Sequence, residues 1–302
     1  KNIADENYSR EILPNSKSLE SRPNIVLVIC ESFSMFRSSM SGNPLNTTPY
    51  FKKMCDSGIF FNRCFSPTFG TARGVFATLT GIPDVQLSKF STRNPDAINQ
   101  HTIVNEFEDY NKFYFLGGSS DFNNFEGLVK NISGVKVYQE GSFKSAPLNV
   151  WGISDKNLFM ESSQVLSEQK NPFFAIIQTA DNHRPFSIPE EDTDFIRRVE
   201  PEDTLHKYGF ESLKEFQAFC YTDYCFEKLI EGAKKQPWFN NTIFVFVGDH
   251  GVEGETSAIY PDKLNMGRLS DEHVPLLFYA PELLLPQARH EVVSQIDVLP
   301  TI

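Results

Sequence analysis

Five short, unbroken apolar runs constrain this chain more than any other feature: I-V-L-V-I at 25–29, F-Y-F-L at 113–116, F-F-A-I-I at 173–177, I-F-V-F-V at 243–247 and L-L-F-Y at 276–279. A strand with one wet face alternates apolar and polar residues. A run without alternation belongs to a strand covered on both faces. Between the runs lie longer stretches with helical character, expected at 48–57, 72–81, 99–109, 154–168 and 212–235. The fourth opens on Ser154-Asp155, a plausible N-cap. Strands alternating with helices imply an α/β fold with a central, largely parallel sheet flanked by helices. The stripe Leu213, Phe216, Cys220 and Tyr224 in the last helix reads as core packing, and so does most of the unusually large complement of 28 Phe.

In parallel sheets ligands gather at the carboxyl ends of the strands. Here those ends carry Glu31, then Gly117-Gly118-Ser119, then Asn182-His183, then Asp249-His250. Core packing does not call for such residues. Glu31, Asp249 and His250 supply two oxygen donors and one nitrogen donor, a set suited to manganese, zinc or magnesium. Taken one at a time, each also reads as a solvated strand end.

A second element is F-G-T-A-R-G-V-F-A-T-L-T-G (69–81), a Gly-led turn entering a helix. A hydroxyl at a helix N-terminus meets free N–H groups and the positive end of the dipole, where a phosphate can sit. Thr71 is that hydroxyl. Arg73 offers a planar fork for phosphate oxygens. The plainer alternatives are a capping threonine and a surface charge.

The remaining composition narrows the partners. A net charge of −11 with no Lys/Arg-rich run argues against nucleic acid, and an acidic protein handling an anionic substrate needs local positive charge of the kind a metal supplies. The five cysteines have no C-x-x-C spacing, so buried thiols are expected, with a Cys55–Cys64 bridge as the alternative. No run reaches the roughly 18 apolar residues that cross a bilayer. Residues 1–22 read as a polar lead-in ending at Arg22-Pro23, and 23–302 as one domain.

The T-A-R-G-V-F-A-T-L-T-G segment resembles the sulfatase motif C-x-P-x-R-x-x-L-x-T-G, with Thr71 where the nucleophile stands. Arg73 and Val75 replace that motif's Pro and Arg, and threonine is no formylglycine precursor, which disfavours a true sulfatase. A strand-end Glu with a Thr nucleophile is instead similar to the lipoteichoic acid synthase and phosphoglycerol transferase branch of the sulfatase (alkaline phosphatase) superfamily. N-T-T-P-Y (46–50), W-G-I-S-D (151–155), N-H-R-P-F (182–186), W-F-N-N-T-I-F-V-F-V-G-D-H-G (238–251) and S-Q-I-D-V-L-P-T-I (294–302) carry the same resemblance.

The resemblance implies an alkaline phosphatase/sulfatase-like sandwich. It also implies one divalent cation, commonly Mn2+ (Mg2+ or Zn2+ as alternatives), on Glu31, Thr71, Asp249 and His250. His183 would serve the substrate phosphate or leaving group, and Arg73 and His273 would bind substrate. The implied reaction moves a lipid head group, glycerol phosphate from phosphatidylglycerol, through a phosphothreonine to a glycan or lipid acceptor. Phosphoethanolamine transfer and simple hydrolysis are the alternatives within enzymes; a binding module without chemistry is the alternative outside them. The 117–124 loop lacks the His, Trp and Arg that hold glycerol phosphate in lipoteichoic acid synthases, so the head group stays open; Asp121 and Asn124 read as turn residues. Such relatives sit outside the cytoplasmic membrane on N-terminal transmembrane helices. The lead-in is therefore expected to be a linker from a preceding membrane anchor, and the domain to continue past Ile302.

Overall fold

The structure, a computed structural model, describes residues 21–85, 88–265 and 267–302. Nearly all of the expected lead-in linker lies outside them. Among the described residues, nine strands form one sheet: β1 (Asn24–Cys30), β2 (Ile59–Phe65), β3 (Asn111–Leu116), β4 (Lys136–Tyr138), β5 (Phe173–Gln178), β6 (Thr242–Gly248), β7 (His273–Tyr279), β8 (Gln287–Arg289) and β9 (Val293–Ser294). Their order is β4-β3-β5-β1-β6-β7-β2-β8, with β9 also pairing to β2. The five strands from β4 to β6 are mutually parallel. β7 runs against both of its neighbours, so the sheet is mixed, mostly parallel.

The apolar runs behave as their lack of alternation requires. In β1, Val26, Val28 and Cys30 enter one core together with Phe51, Leu158, Phe159, Phe219 and Phe226. Ile25, Leu27 and Ile29 enter a second core on the opposite face with Val75, Phe76, Leu79 and Phe125. Successive strand side chains point to opposite faces, so covering both faces needs helices on both. Helices Pro49–Cys55, Asp155–Ser167 and Leu213–Ala233 cover the first, and helix Thr71–Thr80 lies on the second. The first core is dense in aromatic pairs: Phe33 meets Phe51 edge-on at 5.0 Å and stacks on Phe219 at 5.3 Å. Five Cys are buried free thiols, so the Cys55–Cys64 bridge does not form.

Two expectations need correction. Residues 99–109 hold no continuous helix; they contain a single 3-10 turn, Ile103–Glu106, after a short helix Pro95–Ile98. The side chains of Asn94 and Thr102 accept from Asp96 N and Val104 N, and such local bonds start new turns at the expense of a long helix. The strand β2 was not expected. Its sequence I-F-F-N-R-C-F is broken by Asn62 and Arg63, and only Phe61 and Cys64 are buried.

Two contacts determine where the elements end up. Gly74, inside helix Thr71–Thr80, lies so close to β6 that a Cβ there would stand 1.8 Å from the Asp249 carbonyl oxygen. Asp223, in helix Leu213–Ala233, accepts from Tyr50 N at 2.9 Å and Phe51 N at 2.7 Å. Pro49 has no N–H and Thr48 makes no side-chain cap, so the buried Asp223 carboxylate serves as the N-cap of a neighbouring helix.

Gly74→Ala is expected to lower unfolding free energy by about 1–3 kcal/mol, the usual cost of overpacking, in urea or thermal melts. Asp223→Ala leaves the buried Phe51 N–H and the part-buried Tyr50 N–H unpaired and is expected to cost about 2 kcal/mol or more in the same melts.

Candidate active site

Three of the expected strand ends meet in one cavity, lined among others by Glu31, Thr71, Gly118, Ser119, Trp151, Gln178, Thr179 and His183. Its base is set by backbone bonds continuing the sheet: Thr179 N donates to Ile29 O at 3.0 Å and Asp249 N to Cys30 O at 3.0 Å. β1, β5 and β6 therefore end level with one another, and the residues after each strand project at the same edge.

Glu31 is buried at the end of β1. Its neighbour Ser32 sits at φ 50°, an unusual value for a residue with a side chain, and this bend turns Ser32 N toward Asp249 Oδ1 at 2.8 Å. His250 N donates to the same oxygen at 2.7 Å. With Oδ1 so engaged, Asp249 Oδ2 is left buried without a hydrogen-bond partner, 3.6 Å from His250 Nε2. That ring nitrogen is also 3.8 Å from Glu31 Oε1. The opposite nitrogen, Nδ1, lies 2.6 Å from the Gly251 carbonyl. A carbonyl only accepts, so Nδ1 carries a proton, and in the neutral ring Nε2 is the nitrogen with the lone pair.

Glu31, Asp249 and His250 thus offer three ligand atoms within 4.8 Å of one another. Burial, reinforced by the charge of Glu31, pushes the Asp249 carboxyl up to about 7. Burial works against charge on His250, but Asp249 and Glu31 outweigh it and raise the imidazole. Two carboxylates held together out of water need a cation. An orphaned carboxylate oxygen, a second carboxylate and an imidazole lone pair fit a divalent metal.

Thr71 opens its helix after Gly70, whose φ of 90° makes the entry turn. Its hydroxyl donates to Glu31 Oε2 at 3.2 Å, so the fourth expected ligand lies against one of the other three. The contact of Gly74 with Asp249 is what brings this helix end so close. Gly74 was not among the expected site residues, although glycine inside a helix costs about 1 kcal/mol relative to Ala and so calls for a packing reason.

His183 is half-buried and lines the same cavity. Its Nδ1 lies 2.9 Å from the Arg184 carbonyl, and its ring meets Trp151 edge-on at 4.4 Å. Trp151 Nε1 donates to the same carbonyl at 2.6 Å. Asn182 donates to the carbonyls of Glu31 and Ser32, each at 3.1 Å, and Thr179 Oγ1 accepts from Glu31 N at 2.9 Å. These supporting residues carry no individual sequence signal; they matter because two strand ends are neighbours.

The other two expected substrate residues do not line the cavity. The Arg73 guanidinium is buried between the rings of Phe69 and Phe90, at 4.7 and 4.6 Å. His273 is buried too, its Nε2 2.9 Å from Asn62 O and its Nδ1 2.9 Å from Tyr260 Oη. Both nitrogens are satisfied within the protein, and burial lowers its pKa to about 4, so it stays neutral. In the 117–124 loop, Asn124 takes a left-handed conformation (φ 58°) and donates to Thr92 O, a turn role. Asn123, by contrast, lines the cavity.

The chain is 26% identical to lipoteichoic acid synthase 1 of Bacillus subtilis over 98% of its own length and 48% of the relative's. Against the lipoteichoic acid synthase of Staphylococcus aureus strain USA300 it is 24% identical, with the same coverage. The chain thus spans about half the length of the curated relatives it matches. A Vibrio parahaemolyticus protein of the alkaline phosphatase superfamily superimposes with a TM-score of 0.77 at 23% identity, covering 94% of this chain and 66% of that one. For the lipoteichoic acid synthase LtaP of Listeria monocytogenes the TM-score is 0.76 at 20% identity, covering 92% and 70%. The fold is therefore that of the alkaline phosphatase superfamily. Because the sulfatase family model matches residues 23–302, the core, the strand ends and the helix bearing Thr71 all lie within the match, and the chain belongs to the sulfatase family.

Proposed function

We propose that this domain is a metal-dependent phosphoryl-group transferase that moves a lipid head group, glycerol phosphate from phosphatidylglycerol, to a glycan or lipid acceptor through a phosphothreonine on Thr71. The observation that carries the reading is a hydroxyl at a helix N-terminus, 3.2 Å from Oε2 of Glu31, which shares the three-residue ligand cluster with Asp249 and His250. The two curated relatives named above are lipoteichoic acid synthases, which supports the choice of head group.

A single divalent cation, Mn2+ with Mg2+ or Zn2+ as alternatives, would be held by Glu31, Thr71, Asp249 and His250, and when bound it supplies Lewis-acid chemistry toward the phosphoryl oxygens and the Thr71 hydroxyl. Thr71 Oγ1 gives up its proton along its bond to Glu31 and attacks phosphorus. The bond from phosphorus to the diacylglycerol oxygen breaks, and His183 Nε2 delivers a proton to that oxygen. An acceptor hydroxyl then passes its proton to His183 and attacks the adduct, and Thr71 departs with the proton returned from Glu31. Free N–H groups at the start of helix Thr71–Thr80 favour the phosphoryl charge throughout. Arg73 and His273 have no place in these steps. Since the donor is a phospholipid, we read the domain as working at the outer face of a cell membrane, membrane-associated; among the described residues no helix is long and apolar enough to cross one.

Incubating the Mn2+-loaded protein separately with phosphatidylglycerol and phosphatidylethanolamine should give, by intact mass, a glycerol phosphate adduct with the first lipid only. An ethanolamine phosphate adduct would instead assign phosphoethanolamine transfer. Thr71→Ala should lose turnover by about 10³-fold or more while keeping its melting temperature, and near-normal activity in that variant would sink the proposal. Elemental analysis should find bound manganese in the native chain and an affinity weaker by about 10-fold or more in Asp249→Asn.

A further inference from the structure

We infer that Asp155 is a positioning residue for His183, fixing the turn that aims the imidazole at the leaving group; this rests on the acid/base role proposed for His183. Asp155 is the first residue of helix Asp155–Ser167, but that helix is already capped by Ser154, whose side chain accepts from Asn157 N. The carboxylate is therefore spare as far as its own helix is concerned. It points instead at the segment following β5: Oδ1 accepts from Ala180 N at 2.8 Å and Oδ2 from Asp181 N at 3.1 Å. The bond is returned, since Asp181 Oδ2 accepts from Asp155 N at 2.6 Å.

Both carboxyls are fully buried, and burial pushes both of them up. A buried acidic pair is costly, and it persists here because each member pairs with the other's backbone. The residue it anchors is the hinge of the site. His183 N donates to Ala180 O at 3.1 Å and Phe186 N to His183 O at 2.9 Å, so the turn presenting the imidazole begins at the residue that Asp155 grips. Asn182 ties the turn's other side to the carbonyls of Glu31 and Ser32.

The same short segment also builds the wall behind the ring. Trp151, four positions before Asp155, meets the His183 ring and donates to Arg184 O. The Nδ1 nitrogen of His183 faces that same carbonyl, so it carries the proton and Nε2 is the atom that exchanges one with substrate. Residues 151–155 thus act on His183 twice, through its backbone turn and through its ring. In Asp155→Asn the side-chain oxygen can still accept one N–H, but the amide nitrogen faces the other N–H and the turn must shift.

The test uses the Mn2+-loaded chain and two phosphodiesters of glycerol phosphate, one with a 4-nitrophenolate leaving group and one with an unactivated alkoxide. Nitrophenolate departs without a proton; the alkoxide needs one. His183→Ala should lose about 10²-fold in kcat/KM, which reports only the steps up to leaving-group departure, with the alkoxide diester, the scale of general-acid catalysis, and about 3-fold or less with the nitrophenyl diester. Asp155→Asn should show the same asymmetry, about 10-fold against 3-fold or less, and add no further loss in the His183→Ala background. Equal losses on both substrates, or full additivity with His183→Ala, would overturn the inference. Should Asp155→Asn fail to melt cooperatively, Asp155→Glu is read in the same way, and failure of both to fold would reduce Asp155 to a folding residue. A Thr71→Ala chain that still turns over the nitrophenyl diester would remove the proposed function itself, whatever Asp155 does.

Discussion

The site depends on a steric allowance at one residue. A helix can lie against the end of β6 only where it carries no side chain, and Gly74 provides that place. Everything chemical stems from the resulting proximity. The N-terminal turn of the helix arrives at the end of β1, and its first hydroxyl lands within hydrogen-bond range of Glu31. A positive helix end facing a negative cluster is favourable for the fold, but it does not neutralise that cluster. The Asp249 oxygen left unpaired records the residual deficit of positive charge. Other buried polar atoms also lack a partner; what sets this oxygen apart is a second carboxylate and an imidazole nitrogen within 4.8 Å of it.

Much of this was legible in the sequence, and the division reflects the range of the interactions. Runs without alternation fixed both-face burial of β1, β3, β5 and β6, and an ionisable residue immediately after an apolar run can only sit at a strand end. Glu31, Asp249 and His250 were therefore readable singly, and the parallel arrangement brought them together. Thr71 was readable because helix entry is local. The roles of Arg73 and His273 were not, since whether a cation faces solvent or is clasped by two rings depends on Phe90, far along the chain. His273 likewise looks like any strand-entrance histidine until Tyr260 and Asn62 occupy its nitrogens. β2 escaped for a related reason: a strand with incomplete cover carries a weaker pattern than one sealed on both sides.

The two apolar cores divide the labour. Helix Thr71–Thr80, with the nucleophile candidate, is packed into one of them through Val75, Phe76 and Leu79. Helix Asp155–Ser167, which braces the His183 turn, is packed into the other through Leu158 and Phe159. The helix bearing Thr71 and the helix bracing the His183 turn thus pack on opposite faces of the sheet. A cavity-forming substitution in either core should be felt first by the group it carries.

What connects the halves is the ladder between β1 and β5, which pairs Ile25 with Phe174 and Ile29 with Gln178. Pairing of this kind has no intermediate settings. A slip that keeps each side chain on its own face must move two residues at once, about 6.6 Å along the strand. The separation of Glu31 from the turn after Gln178 is therefore a counted quantity, like teeth on a rack. The loops that line such a site can drift, whereas the span between Glu31 and the turn that bears His183 is carried unchanged by the sheet.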